Sequence, residues 1–392
     1  MIVPTFSSIP NVTAVLVVFV TCMMQRCSAI QRMRQRLFHS VSPRTYSTLL
    51  DTPIVLSGLK QIIDRYDLIL FDQFGVLHDG ETQIPGALEV LEYLSKQKKT
   101  AGILSNTSNR KQLVVDKLTK LGFPAFLYDG GITCSGECAY EWIVDKHQAE
   151  KRQDKIRCCW FTWNSSRDGS NFVTDLDDIL VLSTVENAEL MLFHGTECVI
   201  TAAAAIDPIS LSFCQDGNLD DPKLQQMLTF AVYKKLPALC ANLDFTAMTP
   251  NGLRYMPGNL EKEYIRLGGS CVGFGKPHVD FFQRALVAAE TSHRKKFGSS
   301  IPATKKLRAL HIGDSIHHDI LGAHNINIDS ILITEYGVHR DELQDTRKTP
   351  TEKSVDSPWD SPPEKSLVQK VCDLCDAEGV PRPSYISRQC TL

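Results

Sequence analysis

From Asp67 onward, short apolar runs alternate with segments whose apolar residues recur at helical spacing. DLILF (67–71), AGIL (101–104), LRALHI (307–312) and SILIT (330–334) are too short for packed helices and read as buried strands. Between them, Pro85 to Lys96 sets Leu88, Leu91 and Leu94 three residues apart, and Arg110 to Leu121 and Pro277 to Ala289 also read as helices. This alternation predicts an α/β fold, a doubly wound parallel sheet of Rossmann-like form. Ligands of such sheets collect beyond the carboxyl ends of the strands. Asp72 follows the first run, Ser105 and Asn106 the second, and Gly313 with Asp314 the third.

Residues 130–271 form an insertion of domain size in which strand-like runs (IRCCWFTW, DILVLSTV, AELMLF) again mix with helical ones. The reading is a second α/β domain, a cap, so the core comprises 51–129 and 272–345. TRKTPTEKSVDSPWDSPPEK (346–365) is Pro-rich and charged and is expected to be a disordered insertion. A C-terminal helix and tail (366–392) follow. There Cys372 and Cys375 share a helix face with Leu367, Val371 and Leu374; a zinc site would need four ligands, and the only later candidate is Cys390. Cys134 and Cys138 are expected on one buried helix face. The Ala202–Ala205 run reads as packed helix or strand.

Residues 1–50 contain no Asp, Glu or Lys, while Arg26, Arg32, Arg34, Arg36 and Arg44 lie among serines. That is the pattern of an organelle transit peptide. The apolar stretch VTAVLVVFVTCMM (12–24) falls short of the roughly 20 residues a spanning helix needs, so no stable membrane span is expected. With Cys27-Ser28-Ala29 it also resembles a signal-peptide core, which would suit a bipartite leader with plastid or secretory entry. Lack of a charged n-region favours the mitochondrion, and a later start codon is a third reading.

Composition narrows the function classes. The chain has 392 residues, 43% hydrophobic and 22% charged, with a formal net charge of -3. No basic excess exists to hold nucleic acid through its phosphates. The 13 cysteines are scattered without a framework, which suits reduced thiols.

Hydrolysis of a phosphate ester needs a nucleophile, a cation and groups that hold the phosphoryl oxygens. A carboxylate facing a phosphate meets repulsion of roughly 4 kcal/mol per unit pair at ~4 Å and an effective dielectric of ~20. A divalent ion must relieve it. Mg2+ takes oxygen ligands and keeps several waters, so two carboxylates and a carbonyl from different loops suffice, and Asp72 and Asp314 are placed to supply the carboxylates.

Four motifs then follow in order: FDQFGVLHDG (71–80), ILSNTSN (103–109), GFGKP (273–277) and IGDSIHHDILGA (312–323). Together they resemble the haloacid dehalogenase (HAD) superfamily. An insertion between the second and third motifs, with SGE (135–137), ANLD (241–244) and PG (257–258), resembles its class IIA hydrolases, over about residues 68 to 339. The resemblance implies an Mg2+-dependent phosphatase of a small phosphorylated molecule. Asp72 would be nucleophile, Ser105 and Asn106 would bind phosphate, and Lys276 would neutralise charge. Asp72, the Phe74 main-chain carbonyl and Asp314 would hold the metal, with Asp319 orienting the surrounding shell.

The pattern breaks at Phe74, where phosphatases of this superfamily carry a second aspartate as general acid, worth roughly 10² to 10⁴ in rate. An aromatic there resembles both the carbon-halogen hydrolases of the superfamily and a little-characterised class IIA subgroup. Two further readings therefore stand beside the phosphatase: a hydrolase of another bond, and a catalytically silent ligand-binding relative. His78, His317 and His318 lie near the motifs and are expected as solvated loop residues. Asn242 and Asp244 are expected to form a strand-end turn rather than to reach substrate. GGSCVGFGK (268–276) fails as a P-loop at Ser270 and Pro277, and no Gly-x-Ser-x-Gly elbow occurs.

Overall fold

The computed structural model describes residues 52–163, 170–201, 208–298, 302, 304–343 and 366–392. The leader, the Ala202–Ala205 run and the Pro-rich 346–365 segment lie outside the described residues.

Seven parallel strands form one sheet, in the order Ile54–Leu56, Tyr385–Ser387, Asp329–Ile333, Ala309–Gly313, Leu68–Phe71, Thr100–Ser105 and Ile132–Cys134. The predicted strands are all present, with ends shifted by one or two residues. Alternation sorts their side chains. Ile69, Phe71 and Ile103 enter an apolar cluster with Val90, Leu91, Val114 and Leu118 of the helices Ala87–Lys96 and Lys111–Lys120. Leu68, Leu70 and Leu104 point the other way, onto Phe281, Phe282 and Ala285 of the helix Val279–Phe297. Helices on both faces make the sheet doubly wound, as predicted.

The chain leaves Leu68–Phe71 in one direction, through Thr100–Ser105 to Ile132–Cys134, and returns on its other side at Ala309–Gly313. Leu68–Phe71 and Ala309–Gly313 are therefore the strands at which connections diverge, and a crevice opens beyond their carboxyl ends. Ile312 lies level with Phe71, so the residues after these strands, Asp72 and Asp314, are neighbours.

A second sheet belongs to the insertion, whose bounds shift from the expected 130–271: Ile132–Cys134 lies in the core sheet, and the strand Ser270–Gly273 carries the second sheet past 271. Its order is Ser270–Gly273, Pro237–Cys240, Leu190–Phe193, Ile156–Thr162, Cys198–Ile200 and Ile209–Ser210, with Leu180–Leu182 also on Ile156–Thr162. Cys159, Phe161, Met191, Phe193 and Cys240 form the core of one of its faces.

Some local expectations change. Ile132–Cys134 belongs to the core sheet, so Cys134 ends a strand and only Cys138 lies on the helix Ser135–Ala149. Cys372 and Cys375 are buried on the helix Leu367–Glu378, and Cys375 packs with Val371, Ile316 and Ile386. The C-terminal tail carries the strand Tyr385–Ser387, which pairs with Ile54–Leu56 on one side and Asp329–Ile333 on the other. No described helix is long and apolar enough to cross a membrane.

Candidate active site

Lys276 is the centre of the crevice. Its ammonium lies 2.9 Å from Asp72 Oδ2 and 2.7 Å from Asp319 Oδ1, and only 1% of its side chain is exposed. Burial opposes its charge, but Asp319, Asp72 and Asp244 outweigh burial and push its pKa up. It is a permanent cation here. Among the described residues, carboxylate oxygens of Asp72, Asp314 and Asp319 lie within 4.8 Å of one another.

The three acids differ in their partners. Asp319 is fully buried and receives Lys276 Nζ and His311 Nε2 on Oδ1, each at 2.7 Å, and the Asp314 and Ser315 amides on Oδ2 at 3.3 and 3.1 Å. Against burial, Lys276 and His311 hold it well below the ordinary carboxylate range. Its oxygens are committed to protein donors. Burial pushes Asp72 up to about 7, against the pull of Lys276. Burial and the charges of Asp72 and Asp319 push Asp314 well above its ordinary value, and Asp314 Oδ2 accepts from Val338 N at 3.0 Å.

Two glycines permit this crowding. Gly75 has φ +72°, and a Cβ on it would stand 2.4 Å from Asp314 Oδ2, so the chain following Phe74 runs against that carboxylate. A Cβ on Gly313 would stand 2.1 Å from Asp319 Cγ. A one-turn π-helix, Ile316–Ile320, then swings Asp319 back under its own strand, capped by Ser315, whose side chain accepts from His318 N.

Asn106, after the strand Thr100–Ser105, braces Lys276. Its Oδ1 accepts from Lys276 N at 2.6 Å, and its Nδ2 donates to Lys276 O at 3.1 Å and to Asp244 Oδ1 at 2.9 Å. Ser105 is buried at the end of the same strand. The structure thus brings together Asp72, Ser105, Asn106, Lys276, Asp314 and Asp319.

The side chain of Phe74 turns elsewhere. Its ring meets His78 edge-on at 4.7 Å, with Lys117 Nζ 4.8 Å from its centroid. It holds no dissociable proton.

The expectation of solvated histidines is corrected. His78 is fully buried beside Phe74, with Nδ1 accepting from Gly80 N at 3.1 Å. His318 is 4% exposed because the insertion covers it, and its Nε2 lies 2.9 Å from Leu243 O. Burial pushes both down to about 3, so both are neutral. His317 is half-buried. The turn expectation for Asn242 and Asp244 is half right: Asn242 Oδ1 accepts from Asp244 N at 2.8 Å, but the Asp244 carboxyl reaches Asn106. His311 was missed. A lone imidazole in the apolar run LRALHI is the signal that would have found it.

The donor set fits a divalent cation. Three buried acids, Asp72, Asp314 and Asp319, and the half-buried Asp244 face one buried ammonium, and burial together with the neighbouring acids holds up the carboxyl groups of Asp72 and Asp314. Oxygen donors of that kind suit magnesium.

Fold and crevice are those of hydrolases of the haloacid dehalogenase type, with the insertion between the second and third motifs. The family described as haloacid dehalogenase-like hydrolase matches residues 69–161, and one described as HAD-hydrolase-like matches residues 273–360. The chain is similar to a 4-nitrophenylphosphatase of Schizosaccharomyces pombe, 25% identical over 289 residues, 72% of this chain and 88% of that one. A rat glycerol-3-phosphate phosphatase is 40% identical over 65 residues, 16% of this chain and 20% of that one. A haloacid dehalogenase-like hydrolase from Brucella suis has the same fold, with TM-score 0.57 and 24% identity over 74% of this chain and 92% of that one.

Proposed function

We propose that this chain is a magnesium-dependent phosphatase of small organic phosphates with Asp72 as nucleophile. The observation that carries the reading is the Lys276 ammonium between Asp72 and Asp319, at 2.9 and 2.7 Å. Asp72 attacks phosphorus, the ester P–O bond breaks, and an aspartyl-phosphate forms that water later hydrolyses. Lys276 favours the ionised form of Asp72 against burial and stabilises charge developing on the phosphoryl oxygens. Ser105 donates its hydroxyl to one of those oxygens. The Asn106 amide is committed to Lys276 and Asp244, so a phosphate contact from Asn106 comes from its main chain.

Asp72, Asp314 and the Phe74 carbonyl would hold magnesium. When bound, the ion screens the repulsion between nucleophile and phosphate and polarises the phosphoryl oxygens. Asp319 lies behind, fixing Lys276 and the loop amides of Asp314 and Ser315.

The test is turnover of 4-nitrophenyl phosphate by the full chain with and without magnesium, beside Asp72→Asn. Magnesium-dependent release lost in the variant is the expected result, and retained turnover in Asp72→Asn would end the proposal. The Phe74 ring supports a second reading, cleavage of a bond whose leaving group needs no proton, such as carbon-halogen. Chloride release from haloacids, with none from phosphates, would establish it instead.

A further inference from the structure

An in-line displacement at phosphorus places the leaving oxygen opposite the attacking one. With Asp72 on the core sheet, that oxygen points away from the core and toward the insertion. A general acid for it must come from that side. Phe74 has none to give.

Among the described residues of the insertion, Asp244 carries its carboxyl group into the crevice, from the loop after the strand Pro237–Cys240. Asn106 Nδ2 donates to its Oδ1 at 2.9 Å, and His318 Nδ1 lies 3.7 Å from the same oxygen. The side chain keeps 27% exposure, so a substrate can touch it, unlike the fully enclosed Asp319. Its backbone is fixed as well: Asp244 N donates to Asn242 Oδ1, and Asp244 O accepts from Gly258 N at 3.1 Å.

The nearby histidines are unsuited. His318 Nε2 is directed at the Leu243 carbonyl and its Nδ1 at Ser315 Oγ, 2.9 Å away. His78 is fully buried, and its Nδ1 already accepts from Gly80 N.

Resting on the reading that Asp72 attacks phosphorus, we propose that Asp244 is the general acid and base that replaces the missing aspartate at position 74. As the ester P–O bond breaks and the Asp72–phosphorus bond forms, the Asp244 proton passes to the leaving oxygen, releasing an alcohol. The Asp244 carboxylate then takes a proton from the attacking water. The Asp72–phosphorus bond breaks, inorganic phosphate departs, and Asp244 is protonated again. The charged and titratable groups facing Asp244 are Lys276, Asp319, Asp72 and His318. Burial pushes the Asp244 carboxyl up to about 6, against Lys276 and the Asn106 hydrogen bond and with Asp319, so a protonated fraction exists near neutral pH.

A consequence is that the proton donor arrives with the insertion rather than with the core. An alkyl phosphate is then cleaved only when the loop carrying Asp244 is seated on Asn106.

The experiment compares ethyl phosphate, whose leaving group needs a proton, with 4-nitrophenyl phosphate, whose leaving group does not, in full-length wild type, Asp244→Asn and Asp72→Asn. We expect kcat/KM of Asp244→Asn to fall by about 10² to 10⁴ on ethyl phosphate and by less than about tenfold on 4-nitrophenyl phosphate. Wild type should lose ethyl phosphate turnover on the alkaline side, beyond any change shared with 4-nitrophenyl phosphate. Equal losses on the two substrates, or none on either, would overturn the proposal, as would a wild type that cleaves only 4-nitrophenyl phosphate. If Asp244→Asn does not fold, the wild-type profiles decide: an alkaline fall of the same size on both substrates overturns the role. Turnover surviving in Asp72→Asn would instead overturn the nucleophile, a separate failure.

Discussion

Asn106 grips Lys276 by both ends of its peptide unit, accepting from its N–H at 2.6 Å and donating to its carbonyl at 3.1 Å. A lysine stem has many rotamers, and fixing its backbone aims the ammonium at Asp72. The same amide holds Asp244, so one side chain ties the third motif and the insertion to the end of the strand Thr100–Ser105.

Asn106→Ala should therefore lower kcat on 4-nitrophenyl phosphate by about 10-fold to 10²-fold with a smaller change in KM, because the acceptor for Lys276 N and the donor for Asp244 are lost together. Steady-state kinetics at saturating magnesium measure it. A change confined to KM would show that Asn106 serves only binding.

Lys276→Met should abolish turnover and, in metal-free buffer, cost about 3–5 kcal/mol of stability, since Asp72 and Asp319 would lose the cation between them. Magnesium should restore part of that loss by binding the native state. Urea unfolding with EDTA and with magnesium measures both quantities. An equal deficit in the two buffers would contradict a magnesium site that includes Asp72.

A pH effect on stability is expected away from the crevice. Arg110 holds Glu137 through two contacts, at 2.8 and 3.1 Å, and Lys111 N donates to it at 2.9 Å. Against burial, these donors keep Glu137 below its ordinary value. A lowered folded-state pKa gives stability that is present above the unfolded-state pKa and lost as pH falls through the folded-state one. Glu137→Gln should thus cost about 1–3 kcal/mol near pH 7, and the gap to wild type should close below about pH 4. Parallel melting temperatures across that range would refute the assignment.

Residues that end apolar strands were readable from the sequence, because a polar group after a buried run has nowhere to go but the crevice. Asp72, Ser105 and Asp314 belong to that class. Lys276 and Asp319 were reached only through the resemblance, since nothing in local periodicity tells a buried lysine from a solvated one. The sequence reads Asp244 as a turn residue, and its neighbour Asn242 fills that place; which of the two reaches Asn106 depends on how the insertion seats on the core. The histidines were misjudged for the same reason, because the burial of His78 and His318 comes from segments distant in sequence or from a fold-back of the loop. Tyr385–Ser387 was overlooked because three residues carry too little pattern to announce a strand.

That short strand has a consequence for how the molecule assembles. Among the described residues, Ile54–Leu56 pairs in the sheet with Tyr385–Ser387 alone, so the two segments must find each other across more than three hundred residues. Pairing of that range is slow to close. Until it closes, Asp329–Ile333 presents an open strand edge, and a fragment lacking Tyr385–Ser387 would keep that edge bare and prone to self-association.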